Sequence, residues 1–237
     1  MIPSKILGKA SGESWVGLVD GIYAVVLTLL LLEFPAIVKE LIDTSLSSDS
    51  STDPIVDVGI VVISYLSVFL IVFDIWASHK TLLVDVKSAK LFAKSTGLLL
   101  FLISLVPPMY YVVEHSEIRS TLASTKHTLI ISLAEAGVFI LIALIYSALA
   151  AIGSFEKKQD NQNIKRIFDL SYLTSTSASK ALIAVFFAGV CILTGEEFFL
   201  IAPPIPIAIF ATLTYFKVNF FRSKIMKRII RRLRIRR

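Results

Sequence analysis

The sequence predicts an all-α, polytopic membrane protein with six transmembrane helices. Two observations carry this prediction: long apolar runs recur along the chain, and basic residues concentrate in alternate connecting segments. The composition agrees, because 55% of the 237 residues are hydrophobic and only 18% are charged, against about 25% in an ordinary soluble domain. The single cysteine, Cys191, excludes an intramolecular disulfide. It stands in an apolar run, which favours packing as a small hydrophobic side chain.

Six apolar runs are candidate membrane spans, because about 20 helical residues cross a hydrocarbon core of ~30 Å. Helices are expected since every backbone polar group must be hydrogen-bonded within lipid, and the runs lack the alternation of barrel strands. The predicted spans are 16–34, 55–78, 91–113, 127–155, 180–194 and 198–221. They form one six-helix transmembrane domain, 1–221, followed by a basic cytoplasmic tail, 222–237. The short separation of the last two spans predicts a tight helical hairpin, and a re-entrant pair is the alternative.

Lys and Arg are distributed unequally between the two sets of connecting segments. Of the 24 basic residues, 21 precede the first span, follow the second or fourth span, or belong to the tail region. The alternate loops hold only Lys39, Arg119 and Lys126. The positive-inside rule then predicts that both termini are cytoplasmic. An even number of spans is consistent with this orientation, because it places both termini on the same side of the membrane.

The tail alternates apolar and basic residues over 225–235. This pattern is typical of an interfacial helix that lies on anionic lipid. The net charge of +6 would favour nucleic acid in a soluble protein. Because a membrane span precedes this tail, lipid headgroups are the nearer partner, and we predict no nucleic-acid binding.

Ionisable residues at membrane depth carry most of the functional signal, because they are costly to bury there. Three are predicted: Asp20, Asp74 and Glu135. Asp20 fits either a structural role near the inner interface or a role in a permeation path. Asp74 and His79 are five residues apart, so they share a helical face poorly, and Trp76 between them is typical of an interface anchor. The sequence therefore predicts no enzyme, no cofactor and no bound metal.

Three segments resemble the transmembrane protein 175 family of potassium channels. Residues 19–30 resemble the first helix of the family, and 74–80, Asp-Ile-Trp-Ala-Ser-His-Lys, are similar to its Trp and His pattern at the end of helix two. The Leu-rich run 98–107, closing on Pro107-Pro108 and followed by Glu114-His115, resembles helix three. Beyond that point the resemblance extends to topology alone.

One motif of the family is mostly absent from this chain. Its hallmark on helix one is Arg-x-x-x-Phe-Ser-Asp, and the matching residues here are Ser14, Leu18, Val19 and Asp20. In the family this motif ties helix one to its neighbours near the cytoplasmic side. The resemblance therefore implies a helix-one network built from Asp20, Trp76 and His79.

The resemblance also implies an architecture. Single-repeat members are prokaryotic and assemble as homotetramers, so a tetramer in a prokaryotic plasma membrane is expected, with the first helix of each subunit lining a central pore. It implies a pore constriction of Val25, Leu29 and Leu32, with Thr28 as a hydroxyl layer. Residues 25, 29 and 32 do share one helical stripe. The residues alone favour lipid contact or packing for such a stripe.

We therefore predict a homotetrameric, potassium-favouring cation channel that conducts passively and uses no cofactor. Its partners are potassium ions, other copies of the chain and anionic lipid. A proton-conducting channel is one alternative. A secondary transporter is another, although transporters usually contain inverted repeats and broken helices, and no repeat relates 16–113 to 127–221. A non-conducting scaffold also stays open.

Overall fold

The computed structural model describes residues 12–47, 54–83, 89–114, 128–159, 164–194 and 204–214. These ranges contain seven helices and no strand, which confirms the predicted all-α class for this part of the chain. The helices are α1 (Gly12–Ser47), α2 (Pro54–Leu83), α3 (Ala89–Ser104), α4 (Val106–Glu114), α5 (Thr128–Gln159), α6 (Ile164–Thr194) and α7 (Pro204–Thr212).

Four of the described helices are long and apolar enough to cross a membrane. The spans are Trp15–Glu40, Val61–Leu83, Leu133–Lys158 and Lys165–Leu193, with mean hydropathies between 1.9 and 2.4. They lie in α1, α2, α5 and α6. The predicted third span corresponds to α3 and α4 together, and the predicted sixth span is represented by the short helix α7. The predicted tail, 222–237, lies outside the described residues.

The third predicted span is broken at Leu105 because of the prolines that follow it. Pro107 and Pro108 have no N–H group, so they cannot bond to the carbonyls four residues before them. Leu105 N instead donates to Leu102 O at 3.2 Å, a tighter turn, and regular helix resumes with α4. Two consecutive prolines thus account for the division into α3 and α4.

Helix α6 begins much earlier than the sequence indicated. The predicted span 180–194 is only its second half, because the helix already begins at Ile164. Lys180, expected to follow a cytoplasmic loop, therefore lies inside a helix and is buried. The polar residues of 171–180 obscured the helix in the sequence, although several of their hydroxyls bond to carbonyls three or four residues back and need no water.

Helices α5 and α6 form the most extensive helix pair in the described structure. They approach so closely at Gly153 that a Cβ there would lie 2.7 Å from Thr174 Oγ1. Further along the pair, Phe139 of α5 stacks on Phe187 of α6 with a centroid distance of 5.3 Å. Phe210 of α7 contacts both rings edge-on. This aromatic cluster joins α7 to the α5–α6 pair, while α1 packs mainly on α2.

Candidate functional site

Helix α1 has one face inside the protomer and one face outside it. The inward face carries buried residues at helical spacing, namely Val19, Tyr23, Val26, Leu30 and Ile37. The outward face carries the three residues of the predicted constriction. Their exposed fractions are 57% for Val25, 43% for Leu29 and 67% for Leu32. A single protomer therefore leaves the whole predicted stripe available to lipid or to another chain.

Thr28 lies on the same outward face, and its hydroxyl has a defined orientation. Thr28 Oγ1 donates to the carbonyl of Ala24 at 2.8 Å. This bond uses the hydroxyl proton, so the lone pairs of the oxygen are presented to the outside of the helix. An oxygen held in this way can accept a hydrogen bond from water or coordinate a cation.

Asp20 is the meeting point of a polar contact between α1 and α2. Trp76 Nε1 donates to its carboxylate at 2.8 Å, and Lys80 Nζ forms a salt bridge with it at 3.0 Å. Lys80 also lies over the Trp76 ring, 4.8 Å from its centroid. The three side chains form a compact, half-buried group that fixes the N-terminal third of α1 against the C-terminal end of α2.

His79 extends this contact to α3. The imidazole is 1% exposed, with Nδ1 3.3 Å from the Tyr23 hydroxyl and Nε2 3.4 Å from Thr96 Oγ1. A neutral imidazole has one donor and one acceptor nitrogen, so two hydroxyl partners satisfy both. His79 therefore links α1, α2 and α3, and its partner on α1 is Tyr23, one turn after Asp20.

Asp74 is the centre of a second polar group, on α2 but facing α5 and α6. Lys180 of α6 forms a salt bridge with Asp74 Oδ2 at 2.5 Å, and the Tyr146 hydroxyl of α5 donates to the same oxygen at 2.7 Å. Lys180 Nζ is also 5.3 Å from the centroid of the Tyr146 ring. We call these three residues the Asp74 cluster. Glu135, the third predicted intramembrane acid, is buried elsewhere on α5.

Several of these partners were not identified from the sequence. The sequence places Lys80 in the connection after the second predicted span and Lys180 at the start of the fifth, and it gives no signal for Tyr23, Thr96 and Tyr146. The turn-by-turn spacing of Asp20 and Tyr23 before Val26 and Leu30 could have placed Tyr23 on an inward face. Nothing comparable in the sequence pairs Lys180 with Asp74, because 106 positions separate them.

The geometry offers two kinds of chemistry. The outward face of α1 combines large apolar side chains with one hydroxyl, which suits an apolar neck beside a cation ligand. The two polar groups on α2 hold helices together. Within the described ranges, no group of three or more His, Cys, Asp and Glu side chains is placed to hold a metal ion.

Comparison with known families matches residues 15–107 to the family described as endosomal/lysosomal potassium channel TMEM175. The resemblance drawn from the sequence is thereby confirmed over these residues, which include most of α1, all of α2 and α3, and the start of α4. No curated protein and no solved structure matches the chain. The matched family consists of channels rather than enzymes, and together with the apolar helices it makes the chain an integral membrane protein.

Proposed function

We propose that the chain, whose residues 15–107 match a potassium-channel family, is the subunit of a homotetrameric cation channel that favours potassium. Conduction is passive, through a central pore lined by the outward face of α1. The observation that carries the proposal is the division of α1 into an inward face enclosed by its own protomer and an outward face left uncovered. A helix that lines the central pore of a tetramer needs one face that packs on its own subunit and another that faces the axis.

The constriction is formed by Val25, Leu29 and Leu32. Four copies of a Leu side chain around one axis leave too little room for a hydrated cation unless the helices move apart. An apolar ring also resists wetting, so each ring is a barrier whose height depends on its width and polarity. All three side chains are exposed in the protomer, so their own subunit leaves them available to face a central axis.

An oxygen ligand for the cation is available on the same face. Thr28 presents lone pairs outward because its proton is bonded to Ala24 O. In a tetramer the Thr28 oxygens provide a four-fold layer next to the apolar rings, which is where a partly dehydrated potassium ion needs them.

The orientation follows from the charge distribution. We propose that both termini are cytoplasmic, that the protein resides in a prokaryotic plasma membrane, and that the basic tail binds anionic lipid. The test is labelling of single cysteines introduced at Ser48 and Lys158, in a Cys191→Ser background. The two sites should be labelled from opposite faces of the membrane. Labelling of both from the same face contradicts this topology.

The decisive experiment is reconstitution of the purified protein in planar bilayers with potassium on one side and sodium on the other. Discrete current steps with a reversal potential shifted toward that of potassium are expected. A reversal potential that follows only the pH gradient indicates the proton-conducting alternative, and saturable flux without current steps indicates a transporter. Native mass spectrometry of the same sample should give the mass of four 26.2 kDa chains.

A further inference from the structure

The segment 74–80 of α2 carries contacts to four other helices within two turns. Asp74 binds Tyr146 of α5 and Lys180 of α6. A few residues later, the same helix holds α1 through Trp76 and Lys80, and reaches α3 through His79. Residues of one continuous helix move together, so a change at Asp74 is transmitted to the contacts with Asp20 and Tyr23 without any intervening loop.

The Asp74 cluster is well enclosed. The Lys180 side chain is 6% exposed and that of Asp74 is 18% exposed, so water has little access to either charge. Removing one partner of such a pair leaves an uncompensated buried charge, which is strongly unfavourable and forces the surroundings to rearrange. The half-exposed Lys80–Asp20 pair, at 41% and 38%, can be rehydrated more easily. Asp74 and Lys180 therefore form the firmer of the two anchors on α2.

We propose that Lys180 and Tyr146 are positioning residues for conduction, because they fix α2 through Asp74 and α2 in turn fixes α1. This inference rests on the proposed channel function and assigns a gating role to α5 and α6, which lie outside residues 15–107. The Asp74 cluster joins α2 to the α5–α6 pair, and the Asp20 contacts join α1 to α2. The α5–α6 pair is therefore connected through α2 to the inward face of α1.

The arrangement also predicts the direction of the effect. The contacts at Asp20 and Tyr23 hold α1 toward its own subunit and therefore away from a central axis. If α2 is loosened, α1 gains freedom to move toward the axis, where four apolar outward faces can pack together and exclude water. Loss of the Asp74 cluster should therefore favour the closed pore.

The main test is Lys180→Met in the full chain, recorded as single channels in planar bilayers. We expect the open probability to fall by at least about fivefold, within the range of about 5- to 150-fold typical of coupling between sites. Single-channel current and reversal potential should be unchanged, because the cluster does not line the pore. Lys180→Arg, which keeps the charge, should restore most of the open probability.

A second variant covers the case in which Lys180→Met fails to assemble. Tyr146→Phe removes one hydroxyl and keeps the ring, so folding is preserved and only the hydrogen bond to Asp74 is lost. The open probability should fall about two- to tenfold, as expected for the loss of one hydrogen bond. If Lys180→Met gives no tetramer, Tyr146→Phe decides alone.

The matched control is the buried pair between Glu156 of α5 and Arg166 of α6, at 3.8 Å. Glu156→Gln weakens a buried ion pair within the α5–α6 hairpin, so it reproduces a general loss of stability. It should leave the open probability near that of the wild type. An equal fall in Glu156→Gln and Lys180→Met means that any destabilisation closes the channel, and this outcome overturns the proposal.

Other outcomes also separate this inference from the proposed function. A wild-type chain that conducts normally, with Lys180→Met and Tyr146→Phe unchanged in open probability, overturns the positioning role alone. A changed reversal potential in either variant overturns it as well, because the cluster would then act in the pore. A wild-type chain that carries no current contradicts the proposed function and, with it, the premise of the inference.

Discussion

The inward and outward faces of α1 are similar in composition and opposite in environment. Leu30 is fully enclosed by its own subunit, whereas the preceding residue, Leu29, is 43% exposed. Val26 and Val25 form the same kind of adjacent pair, one buried and one exposed. Each pair therefore consists of two identical residues that differ only in the side of the helix they occupy. Substituting the buried member tests the stability of the subunit, and substituting the exposed member tests conduction.

The difference shows what hydrophobicity alone cannot resolve in a membrane helix. In a soluble protein the exposed face of a helix is polar, so the sequence marks it. In lipid both faces are apolar, and a face that lines a pore resembles a face that packs in a core. The polar residues of α1 that do discriminate are Asp20 and Tyr23, which bind α2, and Thr28, which points outward.

The largest expected effect distinguishes Leu30→Ala from Leu29→Ala. Truncating the enclosed Leu30 leaves a cavity between α1 and its neighbours and should cost about 2–5 kcal/mol of subunit stability. Truncating Leu29 removes a side chain that its own subunit does not enclose, so stability should be nearly unchanged while conductance rises through a wider neck. Thermal unfolding of the purified protein and single-channel recording provide the two readouts.

The exposed Leu182 of α6 is a suitable control for Leu29, because it is also a Leu on an uncovered helix face. Leu182→Ala should leave the current unchanged. If Leu29→Ala has no more effect on conductance than Leu182→Ala, the outward face of α1 contacts lipid, and the assignments of Val25 and Leu32 fail with it.

A second comparison uses glycines. A Cβ at Gly153 would lie 2.7 Å from Thr174 Oγ1, whereas a Cβ at Gly21, on the outward face of α1, meets nothing within 4 Å in the protomer. Gly153→Ala should therefore cost about 1–3 kcal/mol by overpacking, and the double change with Thr174→Ala should recover part of it. Gly21→Ala should be neutral or stabilise the helix by up to about 1 kcal/mol.

The oligomeric state tests whether Gly21 lies at an interface between subunits. If another copy packs closely on the outward face of α1, Gly21→Ala should lower the tetramer fraction in native mass spectrometry while the subunit itself stays folded. The hypothesis of an interface at Gly21 is abandoned if the tetramer fraction is unchanged at every protein concentration tested.

The sequence predicted the helical class and the approximate positions of α2 and α5, because continuous apolar runs of membrane length have few other interpretations. It ended the first helix too early, at residue 34, because Pro35 follows there, whereas α1 continues through Pro35 to Ser47. It misplaced the start of α6. The first half of that helix is rich in Ser and Thr, residues that are poor helix formers in isolation but bond to the preceding turn here. Tertiary packing against α5, including the close approach at Gly153, stabilises what local preference does not.

For the candidate site, the sequence identified acids more readily than their partners. An isolated Asp20 or Asp74 in an apolar run is conspicuous, because a charge at membrane depth is costly. A Lys near the end of such a run is not, because long basic side chains usually extend to the interface. Lys80 and Lys180 instead turn toward carboxylates on other helices, and only the three-dimensional arrangement identifies those carboxylates.

A smaller effect is expected for Asp20→Asn. The amide oxygen can still accept from Trp76 Nε1, but the charge that pairs with Lys80 is lost. Because both side chains are about 40% exposed, the cost should be about 1 kcal/mol or less. Tetramer yield or open probability should fall, with no change in reversal potential.

The control is Asp43→Asn, at an exposed acid near the other end of α1. A large change in ion preference for Asp20→Asn contradicts a supporting role.

The smallest change in structure is Thr28→Val, which keeps the size and branching of the side chain and deletes its hydroxyl. Its cost to helix stability should be a few tenths of a kcal/mol at most. Since the hydroxyl oxygen presents its lone pairs on the outward face, its removal should lower potassium-over-sodium selectivity, by about two- to tenfold if one hydrogen-bond equivalent is lost. Bi-ionic reversal potentials measure this ratio, and Thr28→Ser should retain it.

Thr81 supplies the control, because it is exposed on α2 and donates to Ala77 O at the same 2.8 Å distance. Thr81→Val makes the same chemical change away from the proposed pore, so equal reversal potentials in the two variants would exclude Thr28 as a cation ligand.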